Sequence, residues 1–129
     1  MKNIIVISTS LRKNGNSERL ADAFVKGAKE AGHMVEKCSL QGCAMHFCTG
    51  CMTCQHSRQG QCAMPDDADI LIQKMAAADV IAFATPVYFY EMCGQMKTLL
   101  DRTNPLFPIP YKFKDIYLLT TAADSEQHA

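Results

Sequence analysis

The sequence predicts an α/β domain in which a parallel sheet is covered by helices on both faces. Two short runs, residues 4–7 and 80–84, are apolar at every position, which is typical of strands buried on both sides. The segments after them repeat apolar residues at helical spacing. Because strand-like and helix-like segments alternate along a chain of 129 residues, we expect one domain of this class over residues 1–129.

The first half of the chain supplies two strands and one helix. Residues 4–7 form the first strand, and a polar loop leads to a helix that we expect to begin near Ser17, with Asn16 or Ser17 as its cap. Gly32 is a suitable residue for the end of that helix. Residues 33–40 are less apolar and carry charges, which favours a strand at the edge of the sheet.

The second half continues the alternation after a cysteine-rich loop of about residues 43–65. A second helix opens at Asp66 and Asp67, where acidic side chains meet the positive end of the helix dipole. A third strand, a third helix and a fourth strand are expected at residues 80–84, 92–100 and 116–121.

The chain stops eight residues after Thr121, although a sheet of this type normally has another strand and two more helices. The fourth strand would then leave an apolar edge exposed. We therefore expect a domain that lacks its last strand and helices, either because the chain is truncated or because a second copy completes it as a homo-oligomer.

The charge balance, the first apolar run and the cysteine count limit which partners and which cellular compartment we expect. The chain has 13 basic and 13 acidic residues, which gives no support for binding to nucleic acid or to an anionic membrane surface. The first apolar run has only four residues, far too few for a secretory signal, so we expect a cytoplasmic protein. Seven cysteines in a reducing compartment favour metal or redox chemistry over a disulfide framework.

Four cysteines fall within fifteen residues of that loop: Cys48, Cys51, Cys54 and Cys62. Compact runs of this kind hold iron–sulfur clusters, so the spacing favours a four-iron cluster. Zinc sites more often combine two separated pairs, which fits less well, and unligated thiols are a further alternative. Cys43 is near enough in sequence to replace one of the four.

Three loops should meet at the carboxyl ends of the strands, where open α/β sheets bind ligands. The first, residues 8–17, offers hydroxyl and amide donors before a helix, and Arg12 adds charged donors. It lacks the glycine patterns of dinucleotide and nucleotide-hydrolysing loops. A mononucleotide phosphate site and an ordinary polar turn both fit this loop.

The second loop is rich in aromatic residues and the third in small residues. In residues 85–90, three aromatic side chains follow a proline, where they could either form a wall for a flat ring or cover the core. Residues 120–124 are mostly small, which permits close approach of the backbone to a ligand. Both alternatives for the aromatic loop stay open at the level of its residues.

Three segments, residues 10–17, 48–67 and 85–90, resemble the NADPH-dependent FMN reductase superfamily of flavodoxin-like proteins, and within it the iron–sulfur flavoproteins. The helix after the third segment matches through Gln95, Lys97, Asp101 and Arg102. The chain departs from the family pattern at three positions, with Thr9 for glycine, Leu11 for proline and Thr85 for serine.

The resemblance implies a flavodoxin-like fold and a site for FMN. Its phosphate would be bound by four residues of the first loop: Ser10, Arg12, Asn16 and Ser17. The flavin ring would lie beside the second loop, formed by Pro86, Val87, Tyr88, Phe89 and Tyr90, largely through backbone groups. Thr121 and Ala122 of the third loop would complete the site.

The resemblance also implies an activity, which is an FMN-dependent NAD(P)H oxidoreductase. NAD(P)H would deliver hydride to the flavin, and a four-iron cluster would pass single electrons to a small-molecule or protein acceptor. One alternative is a carrier or redox sensor without turnover of its own. Another is a binding module stapled by zinc.

Overall fold

The computed structural model describes residues 1–123 and contains a sheet of four parallel strands. These are β1 (Asn3–Ser8), β2 (Met34–Ser39), β3 (Val80–Pro86) and β4 (Asp115–Thr121). Their spatial order is β2-β1-β3-β4, and each neighbouring pair is parallel. The sheet confirms the α/β class and the four strands that the apolar runs predict.

Three helices connect the strands: α1 (Asn16–Glu30), α2 (Asp67–Ala77) and α3 (Gly94–Asp101). Two single 3₁₀ turns, Thr53–Gln55 and Asn104–Leu106, lie in the loops. Helix α1 ends as expected, because Gly32 follows it with a φ of +92° that suits glycine. Within the described part of the chain, no helix is both long enough and apolar enough to cross a membrane.

Helix α1 begins near Ser17 as expected, but its expected cap and the expected start of α3 are wrong. The residue that caps α1 is Gly15, not Asn16 or Ser17, because Asn14 takes a left-handed φ of +56° and directs the chain straight into the helix. Helix α3 begins at Gly94 and not near Met92, because Met92 forms an antiparallel bridge with Val87 that keeps this segment extended.

The core lies on both faces of the central strands. On one face, Ile5 and Ile7 of β1 and Ile81 and Phe83 of β3 pack against α2 and α3. On the other face, alternate residues of the same strands pack against α1, among them Val6, which is fully buried. Because successive side chains of a strand point to opposite faces, a strand covered on both sides must be apolar throughout.

The outer strands are less buried. In β2 every residue is partly or fully exposed, as its charges predict. In β4, the side chains of Ile116, Tyr117 and Leu118 are all more than half exposed, although Tyr117 contacts the Phe24 ring of α1 at 5.6 Å between centroids. An apolar edge at β4 was expected from the sequence, and the described residues contain it.

A core substitution tests this packing. We expect Ile81→Ala to lower the free energy of unfolding by about 2–5 kcal/mol, because Ile81 is fully buried between β1 and β4 and the substitution leaves a cavity. The matched control is Ile70→Ala on the exposed side of α2, which should change stability by less than about 0.5 kcal/mol. Urea unfolding measures both, and equal effects would contradict the assigned core.

Candidate functional site

The three loops at the carboxyl ends of the strands enclose one cavity, which we call the loop cavity. Its volume is about 230 Å³. The first loop contributes Ser10, Arg12, Gly15, Asn16 and Ser17, the second Pro86, Val87 and Tyr88, and the third Thr121, Ala122 and Ala123. Nine of the eleven residues that the sequence analysis assigns to FMN therefore line a single cavity.

The first loop presents hydrogen-bond donors at the start of α1. The first N–H groups of a helix have no partner within it, and in the described residues no side chain caps this end. Ser10 and Ser17 are nearly buried, and the Ser10 hydroxyl accepts a hydrogen bond from the Arg12 backbone at 3.2 Å. The Arg12 side chain is exposed beside them. This arrangement of donors suits a phosphate.

An acidic residue in the first turn of α1 does not oppose that role. The Glu18 carboxylate accepts hydrogen bonds from the Ser8 hydroxyl and from the Lys37 ammonium group. Burial lowers the pKa of Lys37, but its hydrogen bonds to Asp22 and Glu18 outweigh that effect and raise it overall. Lys37 therefore stays charged and offsets the Glu18 carboxylate.

The aromatic segment divides into two parts. Tyr88 lines the loop cavity together with Pro86 and Val87. Phe89 and Tyr90 are 83% and 74% exposed, form an edge-to-face pair at 5.3 Å, and are not among the residues that line the cavity. The alternative in which these aromatics cover the core is wrong for both, because Tyr90 takes a left-handed φ of +56° that turns the tip outward.

The third loop is joined to the second by a hydrogen bond. The Val87 N–H donates to the Thr121 carbonyl at 2.7 Å, which continues the β3–β4 pairing past the end of β3. Thr121 and Ala122 therefore line the cavity directly beside Pro86 and Val87. Asp124, the last residue of the expected loop, lies outside the described residues.

A buried polar trio lies beneath the loops. The Cys93 sulfur is 3.4 Å from the Thr9 hydroxyl and 3.2 Å from the Thr85 hydroxyl, and all three residues are almost fully buried. The Thr9 hydroxyl also lies 3.2 Å from the Ala84 carbonyl. Two of the three departures from the family pattern, at Thr9 and Thr85, therefore join β1, β3 and the start of α3.

The four cysteines of the run line a second cavity, which we call the cysteine cavity. Cys48 and Cys51 are exposed, Cys62 is half-buried and Cys54 is buried. Two of their sulfurs accept backbone hydrogen bonds, Cys48 from Gly50 at 3.4 Å and Cys62 from Met64 at 3.3 Å. The Cys51 sulfur lies 3.3 Å from the Thr53 hydroxyl. All four cysteines thus line one cavity.

The thiols influence one another electrostatically. Burial raises the pKa of the Cys54 thiol, and the neighbouring thiolates of Cys62, Cys48 and Cys51 raise it further. Hydrogen bonds from Thr53 lower the pKa of exposed Cys51. Cys51 therefore ionises more readily than Cys54.

The remaining cysteines lie elsewhere. Cys43 donates to the Ser39 carbonyl at 3.4 Å and lines a different cavity with Leu11 and Leu40. It is therefore not placed as a substitute ligand. Cys93 is buried at the start of α3. None of the seven cysteines, all within the described residues, forms a disulfide.

A buried ion pair beside the cysteine cavity was missed at the level of the sequence. Arg102 and Asp66 have side chains 2% and 6% exposed, and the Arg102 Nη1 atom is 2.7 Å from the Asp66 carboxylate. Burial favours a higher pKa for Asp66, but hydrogen bonds from Arg102, His46 and Ala68 outweigh it, so the pKa is lowered. The available signal was the helical spacing of Met96, Leu99 and Arg102, which puts the arginine on the buried face of α3.

The ion pair makes stability depend on pH. Because the Asp66 pKa is lower in the folded state, the pair stabilises the fold above the unfolded value of about 3.9 and is lost as pH falls through the folded pKa. At pH 7 we expect Asp66→Asn to lower the free energy of unfolding by about 3 kcal/mol, because Arg102 then stays buried without its counter-charge.

The difference between wild type and Asp66→Asn should shrink below about pH 4, where wild type loses the same charge. The control is Asp101→Asn, which removes an exposed pair with Lys97 and should cost at most about 0.5 kcal/mol. Urea unfolding between pH 3 and 7 measures both variants. A difference that stays constant across this range would contradict the assignment.

Comparisons with known proteins agree with this geometry. The family described as NADPH-dependent FMN reductase matches residues 2–128. An iron–sulfur flavoprotein of Archaeoglobus fulgidus is 38% identical over 96 residues, covering 74% of this chain and 43% of that protein. One of Methanocaldococcus jannaschii is 37% identical over 103 residues, covering 80% of this chain and 52% of that protein. The chain thus spans about half the length of these curated relatives.

The fold also matches solved structures. An NAD(P)H:quinone oxidoreductase from Methanothermobacter marburgensis superposes with a TM-score of 0.78 over 98% of this chain and 69% of that chain, at 17% identity. At that identity the likeness concerns the fold alone. Because the family match extends over nearly the whole sequence, the chain belongs to the NADPH-dependent FMN reductase family.

Proposed function

We propose that this chain binds FMN in the loop cavity and forms part of an NAD(P)H-dependent oxidoreductase. The observation that carries the proposal is the convergence of three separate loops, with nine of the eleven expected residues, on one cavity at the carboxyl ends of the strands. Membership of the FMN reductase family supports the same assignment.

The first loop would hold the phosphate of FMN. Ser10 and Ser17 would donate from their hydroxyls, Asn16 from its amide, and the N–H groups at the start of α1 would complete the set. Arg12 would add a charged donor from the exposed side. The residues fit the group because this helix end has free donors and a carboxylate already neutralised by Lys37.

The second and third loops would flank the flavin ring. Pro86, Val87 and Tyr88 line the cavity next to Thr121 and Ala122, so the ring would contact the backbone of both loops. We assign contacts of Phe89 and Tyr90 to their backbone, since their side chains are exposed and neither residue lines the cavity. When bound, FMN supplies hydride and single-electron chemistry. The residues of the chain position it and keep water from one face.

Removing the charged donor tests the phosphate assignment. We expect Arg12→Ala to weaken FMN binding by roughly 1–3 kcal/mol, which is about fivefold to over a hundredfold in Kd. The control is Lys13→Ala, the next cation along the loop, which does not line the cavity. Flavin fluorescence titration gives both values. If Arg12→Ala binds FMN as tightly as the control, the helix end alone carries the phosphate.

We also propose that the four cysteines hold an iron–sulfur cluster. Within residues 1–123, no group of three or more His, Cys, Asp or Glu side chains is placed so that it could hold a metal ion. The four thiols nevertheless line one cavity, of about 30 Å³, and N–H groups donate to two of the sulfurs; four cysteines in one lining are the ligand set that a four-iron cluster takes. A four-iron cluster would supply one-electron transfer. The names of the related iron–sulfur flavoproteins are consistent with this.

A cysteine substitution separates the two sites. We expect Cys51→Ser to remove most of the bound iron and to leave FMN affinity unchanged, because the loop cavity and the cysteine cavity share no lining residue. The matched control is Cys38→Ser, which alters a half-buried thiol outside the cysteine cavity. Iron and acid-labile sulfide analysis after anaerobic purification measures the effect. Equal iron in both variants would refute the ligand assignment.

An absorption spectrum tests the proposal as a whole. Anaerobic protein should show flavin bands with a broad shoulder from the cluster, and NADPH should bleach the flavin without any partner protein. A reduced spectrum that appears only with a partner reductase would favour the electron carrier or sensor. Colourless protein with stoichiometric zinc would favour the binding module.

The partner, assembly and compartment belong to the same proposal. We expect a small-molecule or protein electron acceptor, and a second copy of the chain in contact with the exposed side chains of Ile116 and Leu118 on β4. Light scattering on the purified chain measures the assembly. Seven free thiols fit the reducing conditions of the cytoplasm.

A further inference from the structure

The Arg102 guanidinium group hydrogen-bonds to the backbone on both sides of the cysteine run, residues 48–62. The Arg102 Nη1 atom donates to the His46 carbonyl at 2.9 Å, two residues before Cys48. The Nη2 atom donates to the Met64 carbonyl at 3.1 Å, two residues after Cys62. The two flanks of the run are therefore fixed at the same side chain.

The Arg102 side chain is itself held by Asp66 at the start of α2. The Asp66 carboxylate accepts from Arg102 at 2.7 Å and from the His46 N–H at 2.7 Å, so the His46 peptide is held at both its N–H and its carbonyl. Asp66 is also the N-cap of α2. Its carboxylate accepts a hydrogen bond from the Ala68 N–H, and its own backbone N–H donates to the Asp69 carboxylate. The anchor is thus part of a helix end and not a mobile surface pair.

Arg102 also connects these flanks to the wall of the cysteine cavity. It lines that cavity with Asp101 and Asn104, which belong to the same chain turn at the end of α3. Asn104 is held by the Asp101 carbonyl at 2.8 Å and by Gln55 at 3.0 Å, and its amide lies 3.9 Å from the Cys48 sulfur. The end of α3 therefore contacts the run at its first flank, its last flank and its middle.

We propose that Arg102 is the positioning residue of the cysteine site. The planar guanidinium group, through its several N–H donors more than through its charge, sets the distance between Cys48 and Cys62 before any cluster binds. This proposal rests on the proposed function, because the proposed cluster is the common ligand of the four cysteines. A lysine would keep the charge but has a single ammonium on a flexible stem, which cannot reproduce the bonds that the two Arg102 nitrogens make to two carbonyls and a carboxylate. Arg102→Lys therefore separates geometry from charge.

The first experiment uses the chain without a cluster. Hydrogen–deuterium exchange in Arg102→Lys should become about tenfold faster or more in the amides of residues 46–64, because hydrogen bonds to a charged group that hold both flanks are lost. Amides of β1 and α1 should exchange as in wild type. The matched control, Lys97→Gln, removes an exposed cation from the same helix and should leave the loop unchanged.

The second experiment loads the cluster anaerobically. Arg102→Lys should take up less iron than wild type, and the cluster that forms should show an altered EPR spectrum, while FMN affinity stays within about twofold. Unchanged exchange in residues 46–64, or wild-type iron with a wild-type spectrum, would overturn the proposal. Loss of FMN binding and of α1 protection together would also overturn it, because Arg102 would then support the whole domain.

The two proposals fail in different ways. Wild-type protein that takes up no iron would refute the cluster, whereas the exchange experiment on the same protein still decides whether Arg102 positions the loop. Wild-type iron binding with equal binding in Arg102→Lys would refute the positioning role and leave the cluster assignment intact.

Discussion

The parallel pairing of β1 with β3 is the constraint on which the rest of the structure depends. Both strands are buried on both faces, and their register brings Ser8 opposite Ala84 at the carboxyl ends. The Thr9 N–H continues the ladder to the Ala84 carbonyl at 2.9 Å. The first and second loops must therefore leave the sheet side by side, and the trio of Thr9, Thr85 and Cys93 fixes their base. The loop cavity is a consequence of this register.

Much of this could be predicted, because the signals are local. Wholly apolar runs identify β1 and β3, and helical periodicity identifies α1 and α2. The convergence of the first, second and third loops follows from the rule that parallel strands direct their carboxyl ends to one edge. The spacing of Cys48, Cys51, Cys54 and Cys62 likewise sufficed to predict that they line one cavity.

The errors come from contacts between residues distant in sequence. The start of α3 depends on the bridge between Val87 and Met92, and the outward direction of Phe89 and Tyr90 depends on the backbone of Tyr90. Arg102 looks like a solvated residue at a helix end until its partners, 36 and 56 residues away, are known. Burial of a charged group cannot be read from its neighbours in sequence, because the partner that permits it is supplied by the fold.

The length of the loop between β2 and α2 explains why the Arg102–Asp66 ion pair lies beside it. Between β2 and α2 the chain runs from residue 40 to 66 with a single 3₁₀ turn, far longer than an ordinary connection in a compact domain. Phe47 and Met52 are exposed, so these two side chains contribute little apolar burial to offset the entropy of ordering the loop backbone. Polar contacts help to order it, and those of Arg102 act at both flanks. Because ligand binding by thiolates also contributes to folding, a cluster and the guanidinium would stabilise the same loop conformation. If the cysteines hold the proposed cluster, the buried arginine would reduce the ordering that cluster binding itself must bring about.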